Sequence, residues 1–429
     1  MNKKLIAVAV AGLFAAPAAA LAQSSVTISG FFKGSFDHQK VRNVNAGRIG
    51  NTSEIRVTDH SSRVLFNVVE DLGGGMRAVG QFDLRFQIDG TQRFNAVTAA
   101  GAASASPSPN PVSSGNNHIG ILSNTWGAIR LGRQDTHYGN SGDTIAGKPA
   151  LWLHNSSVFD GVMRPGSTVN TIASWSRTPN LIWYDSPKWG GFTFMAGYST
   201  NPMVFSGTQS GENDLGREGR KGRAWTFNPV YTGNNWQVAW SHWNAKSDFP
   251  GGVPSIAAFT EATANGVNDE KADSLRGHYV WGGLRVGLAW NHSKVSNPFS
   301  GNRVGDRKAW ALPVSYTMGQ HNFYGTYTKA GDSKDVQAAA AVVQTGVTVA
   351  AAQAFASGAG TGSNLLSLAY AYDLSKRTSV GVSYARLNNK SIGRYGLFYV
   401  GENVMGGTNS GSLAGEDHTM WGVTARHAF

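Results

Sequence analysis

The chain has 429 residues, no cysteine, a formal net charge of +11, 54 glycines and only 15% charged residues. The lack of thiols excludes disulfide scaffolding and cysteine nucleophiles, and positive charge without any block of five or six like residues excludes a nucleic-acid-binding arm. A soluble protein of this size would show long Val/Ile/Leu runs or amphipathic helices around one core, and neither is present.

Lys3 and Lys4 precede an apolar run over 5–13, then Pro17 and the small-residue end Ala20-Leu21-Ala22. A charged start, an apolar stretch too short to cross a bilayer and an A-x-A site predict a signal peptide over 1–22, with the mature chain, 23–429, starting at Gln23. From there the chain reads as strands, whose side chains point alternately to opposite faces. Val26, Ile28 and Phe32 alternate with Thr27, Ser29 and Lys33, and Val64, Phe66 and Val68 with Arg63, Leu65 and Asn67. Residues 76–89, MRAVGQFDLRFQID, read as one long strand with Phe82, Leu84 and Phe86 on a greasy side and Arg77, Gln81, Asp83 and Arg85 on a wet side. Further along, Trp236, Val238 and Trp240 alternate with Gln237, Ala239 and Ser241, and Val380, Val382 and Tyr384 with Gly381, Ser383 and Ala385. The alternation blurs over 322–330, NFYGTYTKA.

Two kinds of connection alternate between the strands. Seven short turns are marked by EDLGGG, SNTWG, SPKWGG, GNN, GG, GQ and SKRT, which supply the Gly, Asn and Ser of tight hairpins. Eight long loops fall at about 38–60, 90–116, 135–178, 200–222, 245–273, 293–307, 330–363 and 388–418. That count gives sixteen strands, and an even number with short turns at one end and long loops at the other predicts an all-β transmembrane antiparallel barrel. Closure follows because an open sheet edge is insoluble in lipid. A soluble β-sandwich would alternate similarly, so the turn and loop asymmetry decides. Trp126, Trp183, Tyr184, Trp189, Trp236, Trp281, Tyr316 and Trp421 lie near strand ends, where rings suit a membrane–water girdle. The uncharged Ala-rich segment 338–359 lies in a loop position and is read as an external loop rather than a spanning helix.

AQSSVTISGFF, SSRVLFNVVEDLGGGMRAVGQFDL, WGAIRLGRQD, NLIWYDSPKWGGF, AYDLSKRTSVGVSYARLNN and the terminal VTARHAF follow one another along the chain. Together they resemble the general porins of Gram-negative β-proteobacteria. The resemblance implies a sixteen-stranded trimeric barrel with short periplasmic turns and long external loops, the third of them, here about 134–178, folded into the lumen as an eyelet. It also implies that Phe429 closes the last strand and forms part of an outer-membrane assembly signal.

In such a barrel the Phe82 side meets lipid and the Arg85 side meets water, since arginines near the bilayer midplane would cost about 2–4 kcal/mol each. The same rule turns Lys33, Arg63, Arg77, Arg85, Arg130, Arg276, Arg285 and Arg426 inward, opposed chiefly by Asp83 and Asp89. Such a lumen favours anions. Arg77 and Arg285 lie near short turns, as vestibule charges; Arg63 and Arg85 lie about halfway up their strands. The family resemblance adds Arg177, in RTPNLIWYDSP, to Arg63 as a constriction residue. Lys33, Arg63, Arg85 and Arg177 are therefore expected to form a basic ladder, with Arg130 and Asp83 also lining the pore. Where the family often carries an arginine before the fourth strand, this chain has SSGNNHIG with His118, so either the cluster is weaker or Arg85 substitutes. Arg133 shares the parity of Leu131 and lies either beyond the membrane edge or next to a bulge. Loop three holds Asp135, Asp143 and Asp160 against Lys148, Arg164 and Arg177.

Enzyme signatures are absent: there is no G-x-S-x-G, H-E-x-x-H or P-loop, and His242, His278, His292 and His321 are scattered singly. GENDLG, 211–216, lacks the ligand spacing of a calcium loop. The sequence thus predicts a passive, anion-preferring outer-membrane channel without cofactor, and the resemblance implies a homotrimer in contact with outer-membrane lipid and lipopolysaccharide. A channel specific for organic acids would use the same basic eyelet.

Overall fold

The computed structural model describes residues 24–43, 52–60, 62–86, 88–89, 115–137, 177–200, 202, 222–247, 269–296, 303–334, 360–391, 393, 395, 397 and 415–429. It contains seventeen strand segments in one sheet. They are β1 (Ser25–Arg42), β2 (Thr52–Asp59), β3 (Arg63–Gly73), β4 (Met76–Arg85), β5 (Asn117–Ser123), β6 (Gly127–Asp135), β7 (Arg177–Asp185), β8 (Phe192–Ser199) and β9 (Gly222–Thr232). The second half comprises β10 (Trp236–Ser247), β11 (Asp269–Trp281), β12 (Leu284–Ser296), β13 (Arg303–Met318), β14 (His321–Ala330), β15 (Ser363–Asp373), β16 (Thr378–Asn389) and β17 (Asp417–Ala428).

β2 and β3 lie end to end against β1, so the wall has the sixteen staves expected from the sequence. Each stave is antiparallel to its neighbours, and β17 pairs with β1 to close the barrel. The seam continues past the last strand: the Phe429 N–H donates to the Gly30 carbonyl and the Gly30 N–H to that of Phe429, both at 3.1 Å. The Phe429 ring lies 5.6 Å from that of Phe32.

Large apolar side chains point out of the barrel, with Ile28 at 58% exposure, Ile119 at 66% and Leu288 at 59%. Polar partners point in: Lys33, Ser35, Asp37 and Gln39 of β1 are all buried, as are Ser363 and Ser367 of β15. The short connections form tight turns at one end. In EDLGGG, Gly74 adopts φ +60°, a left-handed conformation that glycine tolerates without strain, and the Gly73 N–H donates to Asp71.

Several boundaries differ from the sequence reading. β1 runs to Arg42 and β2 starts at Thr52, and β12 and β13 close in on 297–302, so these loops are shorter than expected. Alternation marks a strand only while its outer face meets lipid; beyond that level both faces are polar and the signal ends. Conversely, β4 stops at Arg85 instead of continuing to residue 89. Asp89 is not a lumen-wall charge: its carboxylate accepts from the Asp59 N–H at 2.8 Å, bending the chain over β2. Trp183 is not a girdle residue either. Its parity points it inward, where it is 3% exposed, packs edge-on to His118 and donates to Asp185. Trp126, Trp189, Trp236, Trp281, Tyr316 and Trp421 are exposed on the outside as expected. Residues 1–22, 211–216 and the Ala-rich 338–359 lie outside the described residues.

Candidate constriction in the barrel lumen

A one-residue bulge sets up the site. Phe31 and Gly34 of β1 face Arg63 and Asp59 respectively, so two residues on β1 oppose three, His60 to Ser62, on the adjoining stave. The surplus residue reverses the parity of everything after it: Arg56 and Thr58 point inward before the bulge, and Arg63, Leu65 and Asn67 after it. The bulge is held by Lys33, whose N–H donates to Ser62 Oγ at 3.0 Å and whose carbonyl accepts from the His60 N–H at 2.8 Å.

Arg63 sits directly across from Arg85 in the ladder. Two like charges opposite one another are destabilising, and Asp83 offsets them: Arg85 donates to it through Nε at 3.2 Å and Nη2 at 3.0 Å, and Arg63 Nη1 lies 3.8 Å away. The Asp83 carboxylate also accepts from the Asn116 N–H at 3.3 Å. It fits because residue 115 is glycine; a Cβ there would overlap the carboxyl carbon. On the other side of Arg63, Phe31 points inward with two guanidinium groups over its ring, Arg63 at 4.8 Å and Arg426 at 5.2 Å. Arg426 pairs in register with Lys33. Four inward cations, Arg426, Lys33, Arg63 and Arg85, thus occupy four consecutive staves.

The other expected lining residues lie elsewhere. Arg130 is three residues from its short turn, ion-paired with Asp185. Arg177 begins β7 opposite Asp135, three staves from β4; the Asp135 carboxylate accepts from the Asn116 side chain at 2.9 Å. Arg276 is buried on β11, eight staves from Arg63 and therefore across the lumen. The register shift between Gly132 and Gln134 is the bulge that accounts for the anomalous parity of Arg133. His118, in place of the family arginine, packs against Trp183, and neighbouring Asn117 accepts from the Asp83 N–H at 2.8 Å.

Two described loop segments pack on the inner wall. Thr136 and Thr178, hydroxyls 2.6 Å apart, clasp the ends of the third long loop, and His137 beyond them is fully buried with Nδ1 2.8 Å from Ser241 Oγ of β10. Burial, then the nearby charges of Arg276 and His242, hold the His137 imidazole well below its ordinary pKa. Of the charges expected in this loop, Asp143, Lys148, Asp160 and Arg164 lie outside the described residues. From the last long loop, Tyr395 and Leu397 pack on an apolar strip of inner wall including Ala309, Ala311, Leu365, Leu387 and Met420. Arg307 bonds the Tyr395 hydroxyl and lies over its ring. The sequence reading missed Phe31, His137 and Tyr395. Phe31 had a signal: it is the apolar intruder in the polar row Thr27, Ser29, Phe31, Lys33. Tyr395 and His137 had none, because long-range loop contacts leave no periodic trace.

Residues 7–391 match the sequence profile of the Gram-negative porins. The chain belongs to the Gram-negative porin family. As a porin of this fold it forms an outer-membrane channel for passive diffusion of small hydrophilic solutes and ions. Among solved structures, this porin is similar to the anion-selective porin from Comamonas acidovorans at 19% identity, covering 95% of this chain and 100% of that one, with a TM-score of 0.64. It is also similar to the trimer form of OmpT, an outer membrane protein of Vibrio cholerae, at 12% identity, covering 95% and 99%, TM-score 0.57. OmpF of Salmonella typhi follows at 12% identity, 94% and 97% coverage and TM-score 0.54. No curated protein matches the sequence.

Proposed function

We propose that this porin prefers anions and that its selectivity arises at the Arg426–Lys33–Arg63–Arg85 arc. The observation that carries this reading is that four consecutive staves each turn a cation inward, while Arg63 and Arg85 share Asp83. Low-dielectric walls focus the field of such fixed charges into the lumen. Arg177 and Arg130 extend the basic lining toward the third loop and the periplasmic vestibule. The third loop narrows the channel from inside; the burial of His137 against β10 supports that path. Transport is diffusive, with no enzymatic step and no cofactor, and the histidines serve as local hydrogen-bond partners, as His292 does for Asp306.

Residues 1–22 direct export. Phe429 closes the seam and serves the assembly signal; normal trimer yield from a chain lacking it would contradict that role. The homotrimer forms through the face of β2–β8, whose long-loop ends carry no exposed Lys or Arg among the described residues. The selectivity reading is tested by Arg63→Gln with Arg85→Gln. The anion-to-cation permeability ratio in planar bilayers should fall several-fold, and an unchanged ratio would move selectivity away from this arc.

A further inference from the structure

Between the cationic arc and the short turns, the inner wall is not uniformly polar. The runs Val64-Leu65-Phe66, Val68-Val69, Ile121-Leu122 and Leu181-Ile182-Trp183 carry apolar side chains on both faces of their strands. The outward members meet lipid. Leu65, Val69, Leu122 and Trp183 have inward parity, as does Val79 on β4. Trp183 is packed away, but Leu65, Val69, Val79 and Leu122 are only half-buried, so aliphatic surface stands open to the lumen.

Register joins these side chains into a ramp. Leu65 faces Asp83, Asn67 faces Gln81 and Val69 faces Val79. Val79 pairs in turn with Gly120, whose missing side chain leaves room for the Arg130 stem. Leu65 lies one inward step, about 7 Å, from Arg63, and Val69 lies about 20 Å along the same strand. Below Asp83 the inner faces of β3 and β4 carry no charge until Asp71 and Arg77, which face each other at the short turn. Eight staves away on β11 and β12, at a similar distance from the short turns, the wall turns in His278 and Arg285, hydrogen-bonded to each other.

We infer that this ramp binds the apolar tail of a monocarboxylate whose carboxylate rests at Arg63 and Arg85. The inference rests on the anion-preferring reading of the arc and names the solute class that the arc serves. Exposed apolar surface beside a few convergent charged groups is the make-up of a ligand groove. A dicarboxylate would have to set its second charge on Leu65 and the uncharged rows below it, whereas a hydrocarbon chain gains by covering them. Full burial of a methylene is worth about fourfold in binding, and a chain lying on one open wall gains half that free energy, about twofold per methylene. Contact this weak lets the solute leave as well as enter.

The test uses the full-length protein in planar bilayers at neutral pH, where carboxylic acids are ionised, and reads the block of chloride current by acetate, hexanoate, octanoate and the dianion adipate. The concentration that halves the chloride conductance should fall about twofold per methylene from acetate to octanoate, and hexanoate should block at a lower concentration than adipate. Equal block by acetate and octanoate would overturn the ramp, as would tighter block by adipate, the order that charge alone predicts. Leu65→Asn with Val69→Thr and Val79→Thr should flatten the dependence on chain length. Leu65→Ile with Val69→Ile and Val79→Ile should keep it, which separates lost apolar surface from misfolding; a dependence unaltered by the polar replacements would also overturn the assignment. Arg63→Gln with Arg85→Gln should weaken acetate and octanoate by the same factor. Unchanged acetate block in that variant would sink the reading of the arc, while the increment per methylene would still decide the ramp.

Discussion

Phe31 shows how one side chain can set the electrostatics of a pore. Its ring lies between Arg63, which also reaches Asp83 at 3.8 Å, and Arg426. A cation–π contact of this kind is worth about 0.5–1 kcal/mol at partly solvated sites, enough to bias rotamers without locking them. Phe31→Leu should therefore keep conductance and trimer yield while lowering the permeability ratio modestly, by less than the Arg63/Arg85 double replacement; a ratio equal to wild type would show that the ring only fills space. The inward direction of Lys33, Arg63, Arg85 and Asp83 was legible in the sequence from local alternation. That Asp83 would be shared by Arg63 and Arg85 was not, since it depends on cross-strand register and on a glycine at 115 supplied by a distant loop.

At the scale of elements, the bulge between β2 and β3 and the docked start of the last loop matter most. Strand positions were legible wherever one face meets lipid, as in β10 and β16. They were lost where strands rise past the bilayer, as at the His38–Arg42 end of β1, or where inward Tyr324 and outward Lys329 break the pattern of β14. Tyr395 and Leu397 fill space over an apolar wall, so Tyr395→Ala with Leu397→Ala should widen the external mouth and raise single-channel conductance; an unchanged value would mean that the narrowest section lies elsewhere. The same loop is tied to its neighbour through Lys390 and Asp332, 2.7 Å apart. Burial pushes the Asp332 carboxyl up, but hydrogen bonds from Lys390 and the Gly362 N–H, with the Lys390 charge, outweigh it and hold the pKa below 3.8. A depressed carboxylate pKa contributes stability above 3.8 that is lost as pH falls through the folded value. Protease resistance of the loop at Lys390 should hold from pH 8 to pH 5 and fall only below about pH 4; release near pH 6 would show that another group controls it.

For the whole molecule, the alternation of seven short turns with eight long loops counted the staves before any contact was known. Closure then followed from the cost of an edge in lipid. The division of the outer surface into a β2–β8 face whose long-loop ends carry no exposed Lys or Arg among the described residues and a basic β9–β16 face was not visible strand by strand, because it appears only when equal heights on different strands are compared. The same comparison on the inner surface yields the cationic arc, which is the central claim. It is tested most directly by the zero-current potential of the purified trimer in a planar bilayer under a KCl gradient. A potential of the sign set by chloride, carried by large steady conductance steps, is the predicted result; the same steps with a potential of the sign set by potassium would contradict the account of the arc.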